Sequence, residues 1–192
     1  MKNFALTAGI LLFSFLFVSC ERPDYYDEIR ETYREAKRLS TSGVVIDGNM
    51  WSAISEKRMN PAGAEDYCLY LTELGYNDWR LPTIDELRTL IRECPKTEKG
   101  GSCGFTDECL LKIIEEDYYF TCDEESDCVC EQRYYYENSY SKLDDWGALW
   151  SSIPTKYYNT AWYVNFSDGG IYQANDPYYE ETYNVRCIRN AE

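Results

Sequence analysis

Residues Gly75 to Ile91 read GYNDWRLPTIDELRTLI, and this stretch sets the architecture of the chain. Trp79 is a large apolar anchor. Leu81 precedes Pro82 and is pushed into an extended conformation. Thr83 and Glu86 have the spacing of a capping box, and Ile84, Leu87, Leu90 and Ile91 form the stripe that the helix behind it buries. Only Arg80 has no packing or capping task, and in so acidic a chain it is expected to pair with a carboxylate. The corner is read as architecture, not as a place for chemistry.

Upstream, VVIDGNMWSAIS (44–55) predicts a strand, a turn at Asp47-Gly48 and a second strand entered through Trp51. Asn60-Pro61 starts a helix, with Asn as cap and Pro in the first turn. Ala64, Tyr67, Cys68, Leu71 and Leu74 mark its buried face, and Gly75 is expected to end it. Before residue 44, Tyr25, Ile29, Tyr33 and Ala36 recur at helical spacing, and Thr41-Ser42-Gly43 closes that run: a helical stalk over 20–43.

The first nineteen residues read as a signal peptide, since Lys2 precedes a short apolar run from Phe4 to Val18. Phe17-Val18-Ser19-Cys20 resembles a bacterial lipobox, with Phe17 where Leu is usual. Cys20 is therefore the expected lipidation site, and the protein is expected to be exported and held in the bacterial envelope by lipid, without a span.

Eight cysteines follow Cys20, at 68, 94, 103, 109, 122, 128, 130 and 187. An even number in an exported chain argues for disulfides. With no histidine anywhere, and with Cys128-Val129-Cys130 an unusual zinc spacing, metal thiolates are the weaker reading. Cys94 with Cys103 is the expected local loop. The pairing among Cys109, Cys122, Cys128 and Cys130 stays open. A bond from Cys68 to Cys187 would close more than a hundred residues and stabilise by up to about 5 kcal/mol.

The net charge is −15, and losing Lys2 with the signal peptide makes it −16. That excludes nucleic acid as a partner and disfavours anionic surfaces. Between Asp107 and Glu131 ten acidic residues face one lysine. DEESD (123–127) invites calcium, yet it lacks the calcium-loop pattern and its glycine, so a solvated acidic loop is expected and no cofactor is assigned. Residues 94–147 read as a cysteine-rich insertion with one short helix around Leu110 to Ile114. From Ala148 the chain turns to strands, in ALWSSI, TAWYVNFSDGG with its hairpin turn, IYQA and YNVRCIRN.

MWSAIS, AEDYCLYLTELGYNDWRLPTIDELRTLI, LWSS, AWYVNFSDGG and VRCIRN, in that order, resemble the Lcl carboxy-terminal domain family of bacterial envelope proteins from Val44 to Asn190, with Cys94 to Trp146 as a divergent middle, within a domain of residues 44–192. The resemblance implies an α+β fold of the C-type-lectin-like kind: two helices packed on a small, mostly antiparallel twisted sheet, with disulfide-rich irregular loops. It also implies a cystine from the first helix to the last strand, here Cys68 with Cys187.

Within that fold three function classes compete. A calcium lectin would carry a Glu-Pro-Asn-type loop and Trp-Asn-Asp, and neither is present. An enzyme like the formylglycine-generating oxidoreductases would need free redox thiols, and the absence of histidine removes Ser-His and Cys-His machinery. A non-catalytic binding module fits the nineteen tyrosines, whose rings give rigid contact area with a hydroxyl tip. Trp51, Trp79, Trp150 and Trp162 are expected to pack inside. Tyr157, Tyr158, Asn159, Asp176, Tyr178 and Tyr179 are the expected binding surface, for a neutral glycan or an envelope protein. A sulfated polysaccharide would be repelled. The rival reading is a structural envelope component whose tyrosines serve packing.

Overall fold

The structure is a computed structural model, and it describes residues 25–115, 122, 128–132, 139–157, 159–174 and 181–191. Helix α1 spans Tyr25–Ser40 and leads into a hairpin of β1 (Val44–Ile46) and β2 (Asn49–Trp51). Asp47 and Gly48 both take positive φ (52° and 80°), as a two-residue hairpin turn with the strand twist requires. Helices α2 (Pro61–Tyr70), α3 (Ile84–Arg88) and α4 (Asp107–Glu115) follow, then β3 (Ala148–Pro154), β4 (Ala161–Asn165), β5 (Gly170–Gln173) and β6 (Ile188–Asn190).

The class is α+β, but the strands form two antiparallel sheets instead of one. β1-β2-β6 makes the first and β3-β4-β5 the second. The second sheet separates two apolar clusters, because side chains alternate across its strands. Trp162 and Val164 of β4 face Leu87, Leu90, Ile91, Leu149 and Ile171, while Ala161 and Tyr163 face Trp79, Trp150, Val185 and Cys187. The four tryptophans expected inside are all buried.

The Gly75–Ile91 corner folds as its residues dictate. Thr83 Oγ1 accepts from the Glu86 amide, and the Glu86 carboxylate accepts from the Thr83 amide, so the capping box is closed. Ile84, Leu87, Leu90 and Ile91 are fully buried. Arg80 donates twice to Glu86, at 2.7 and 2.5 Å. Burial pushes the Glu86 carboxyl up, but Arg80 and Thr83 outweigh it and hold that carboxyl below its usual range. A depressed carboxyl contributes stability that is complete at neutral pH and is lost as pH falls through its folded-state value. Glu86→Gln, which keeps an acceptor for the Thr83 amide, is expected to cost about 1 kcal/mol at pH 7. Urea unfolding should show wild type and variant converging in acid; a difference unchanged by pH would mean that the charge contributes nothing.

Two local expectations are corrected. α2 ends at Tyr70, not at Gly75, and Leu71 leaves it in an extended conformation. The chain departs because the Glu73 carboxylate accepts from the Ser42 hydroxyl and the Ala53 amide. Leu74 and Gly75 (φ 55° and 85°) then form a tight reverse turn in which Glu73 and Tyr76 exchange both backbone hydrogen bonds. Leu74 is exposed there, not on the helix face.

The second correction concerns the cystines. Cys68 joins Cys187, linking α2 to the residue before β6. Cys94 does not join Cys103: it joins Cys130, and Cys103 joins Cys128, while Cys109 joins Cys122. The reason lies in Arg88. This side chain is buried at the end of α3 and donates to the carbonyls of Thr97, Glu98, Gly101 and Phe105, so the 94–105 loop wraps a guanidinium. Segment 128–130 runs along β5 through Ile171 N–H to Cys128 O and Cys130 N–H to Asp168 O. Its two cysteines, two residues apart on extended chain, lie on one side. Each takes one loop cysteine.

Candidate functional site

A groove of about 230 Å³ opens where α2 begins, beside the end of β3 and the β3–β4 connection. Pro61, Ala62 and Glu65 form one wall, Leu81 and Pro154 supply apolar surface, and Ser152, Tyr157 and Asn159 form the other wall. Each wall is fixed by local chemistry. Asn60 Oδ1 caps α2 by accepting from the Gly63 amide, which sets the helix start. Ser152 N–H donates to Pro82 O at 2.7 Å, binding β3 to the capped corner.

The β3–β4 connection is clasped on itself. Thr155 N–H donates to Thr160 O, the two threonine hydroxyls bond to one another, and Thr160 Oγ1 donates to Tyr157 O. Asn159 sits at φ 55°, a left-handed conformation that Asn tolerates well. The result is a presented ring: Tyr157 is 41% exposed, with Lys156 Nζ 5.4 Å from its ring centre. Of the residues expected at the surface, the structure therefore brings together Tyr157 and Asn159. Tyr158, Asp176, Tyr178 and Tyr179 lie outside the described residues, as do Cys20 and the DEESD stretch.

A second aromatic feature was not expected. Trp150, Tyr163 and Tyr172 are neighbours across β3, β4 and β5, and Tyr183 packs on the first two with ring centres 4.6 Å apart. Their i, j register across strands was the available signal, but it is visible only once the strand pairing is known. Burial, then hydrogen bonding with Tyr163 and Glu181, pushes the Tyr183 hydroxyl far up, and burial raises Tyr163 as well. Both stay protonated at neutral pH and neither is poised as a base.

Asp85 and Asp107 are spent on structure. Asp85 accepts from the Asp107 amide and Asp107 from the Asp85 amide, each capping the other's helix. Burial pushes the Asp107 carboxyl up. A basic hollow of about 300 Å³ is lined by Asp47, Arg88, Glu98, Lys99 and Lys142, among others. Its cations are already engaged, Lys99 by Asp47, Lys142 by Thr89 O and Arg88 by its carbonyls. Among the described residues no group of three or more His, Cys, Asp or Glu could hold a metal ion, and no helix is long and apolar enough to cross a membrane.

Comparison with curated proteins and with solved structures finds no match. A family model does match, that of the Lcl C-terminal domain, over residues 44–189, from β1 to the middle of β6. With three-quarters of the chain covered, the protein belongs to the Lcl C-terminal domain family.

Proposed function

We propose that the protein is a lipid-anchored envelope protein whose Lcl C-terminal domain works by binding, without catalysis, through the groove beside Tyr157 and Asn159. The ligand class is a neutral glycan or a protein. The observation that carries this reading is the clasped 155–160 loop, which holds a tyrosine ring and an asparagine amide at the mouth of a polar and apolar cleft. Such a cleft matches a sugar's alternation of hydroxyl edges and C–H faces. Among the described residues Glu65 is the only charged one lining it, which suits a neutral or cationic ligand better than an anionic polymer. The cystine from α2 to the last strand, with α2 and α3 packed against the β3-β4-β5 sheet, supports a C-type-lectin-like arrangement.

The test is a glycan-array screen of the purified oxidised protein, in calcium and again in chelator. Binding that survives chelation, and falls at least tenfold in Tyr157→Ala and Asn159→Ala with the melting temperature unchanged, is the expected result. Binding lost in chelator would transfer the site to the acidic loops. A blank array, with no loss of any protein contact in these variants, would favour the structural reading. That reading has one observation of its own, the use of Tyr163, Tyr172 and Tyr183 as packing.

A further inference from the structure

Helix α2 reaches beyond the groove. At about 3.6 residues per turn, Ala62, Glu65, Asp66, Leu69 and Tyr70 share its outward side, opposite the buried Ala64 and Cys68. All of them are exposed, Leu69 by 60% and Tyr70 by 79%. The face starts in the groove, where Ala62 and Glu65 belong to the wall, and runs roughly 12 Å to Tyr70. Two large apolar side chains left open side by side mark a contact surface, as singly scattered ones do not. The charge on this face is also unanswered. α1, α3 and α4 each pair an acid with a base on the same helix: Glu31 with Arg34, Asp85 with Arg88, Glu108 with Lys112. α2 holds no Lys or Arg, and among the described residues Glu65 and Asp66 have no ion-pair or hydrogen-bond partner.

Charge selects among the possible occupants. A neutral glycan would fill the groove and leave the two carboxylates and Leu69 as they are. A second copy docked by the same face would set Glu65 and Asp66 against themselves across a twofold axis. An anionic bilayer surface would be repelled. A protein segment that carries Lys or Arg beside a large apolar residue answers both halves of the face, and the −15 of the whole chain draws it in. Tyr70 suits the apolar half, since a tyrosine ring buries a large area at low cost in side-chain freedom. Lys156, over the Tyr157 ring on the other wall, keeps the cations of such a segment on the α2 side.

We propose that the outward face of α2 and the groove at its start together dock a basic, partly apolar segment of another protein. Its cations lie on Glu65 and Asp66, and an apolar side chain lies on Leu69 and Tyr70. This rests on the groove reading above and chooses the protein within it. The purified oxidised protein is screened on an array of short peptides that vary in charge and apolar content. The expected binders combine Lys or Arg with Leu, Ile or Phe. Their affinity should fall about tenfold in Glu65→Gln with Asp66→Asn, and about tenfold in Leu69→Ser with Tyr70→Ser, at unchanged melting temperature. Glu28→Gln with Glu115→Gln removes the same charge from exposed positions elsewhere and should leave the affinity as it is. An equal loss in that pair would reduce the attraction to bulk charge and overturn the proposal. A blank array, or binders chosen without regard to charge, would overturn it too. Binders lost in Tyr157→Ala but kept in both α2 pairs would overturn it and leave the groove reading standing, whereas binders indifferent to every variant would overturn both. A dimer in sedimentation that Leu69→Ser with Tyr70→Ser breaks would overturn it in favour of a second copy.

Discussion

Arg186→Met is expected to lower the unfolding free energy by about 3–5 kcal/mol, with a fall in melting temperature on the order of 10 °C. Arg186 and Asp145 are both fully buried, and the guanidinium donates to the carboxylate through Nε and Nη2 at 2.7–2.9 Å. The same guanidinium also donates to Ser52 O and Thr41 Oγ1, and Asp145 accepts from Ser141. One cation thus ties together the end of the α1 segment, β2, the cysteine-rich insertion and the approach to β6. Removing it leaves a buried carboxylate with, among the described residues, the Ser141 hydroxyl as donor, and the loss measures that poorly compensated charge, not the net worth of the pair. Arg186→Met combined with Asp145→Leu should therefore recover most of the loss. A double-variant cycle read by guanidinium unfolding checks this: a loss below about 1 kcal/mol in Arg186→Met would mean that the pair does not hold the insertion in place.

The contrast between Arg186 and Thr83 explains how much of this fold the sequence displays. Asp47-Gly48, Asn60-Pro61 and Thr83 with Glu86 act within four residues of themselves, so their turns and caps are legible in one dimension. Arg88 and Arg186 look in sequence like any surface cation of an acidic protein. Apart from Asp85 beside Arg88, their partners are carbonyls, a carboxylate and a hydroxyl brought from 9 to 145 residues away. Cysteine pairing fails to be legible for the same reason. Nearness in sequence favoured Cys94 with Cys103, but Arg88 fills the loop between them and the sulfurs meet Cys130 and Cys128 instead. Leu74 misleads because its apolar side chain continues the α2 pattern while its backbone belongs to a turn. The candidate site divides along this line as well. Tyr157 and Asn159 are legible as loop residues, whereas Glu65 and Ser152 join them only through the packing of α2 against β3.

Loss of the Cys68–Cys187 bond should have an effect as large as loss of Arg186, and by a different route. The two residues are 119 apart, so the bond removes about 5 kcal/mol of loop-closure freedom from the unfolded chain; Cys109 and Cys122, 13 apart, remove about 3 kcal/mol. Burial widens the gap. Cys68 and Cys187 are fully buried beside Trp79, Trp150 and Val185, so truncation to alanine also loosens that cluster, whereas Cys109 and Cys122 are only partly buried, with Cys122 at the edge of the other cluster. Cys68→Ala with Cys187→Ala is expected to lose about 4–5 kcal/mol in non-reducing guanidinium, against at most about 3 kcal/mol for Cys109→Ala with Cys122→Ala. Equal losses, or the reverse order, would refute the loop-length account. The two variants should also part in function. Cys68 anchors the helix whose first turns carry Pro61, Ala62 and Glu65 into the groove, so freeing it lets one wall move against Tyr157. The Cys109–Cys122 bond touches neither wall. Ligand affinity should fall with the first pair and persist with the second, and a groove whose binding ignores α2 would not be the site.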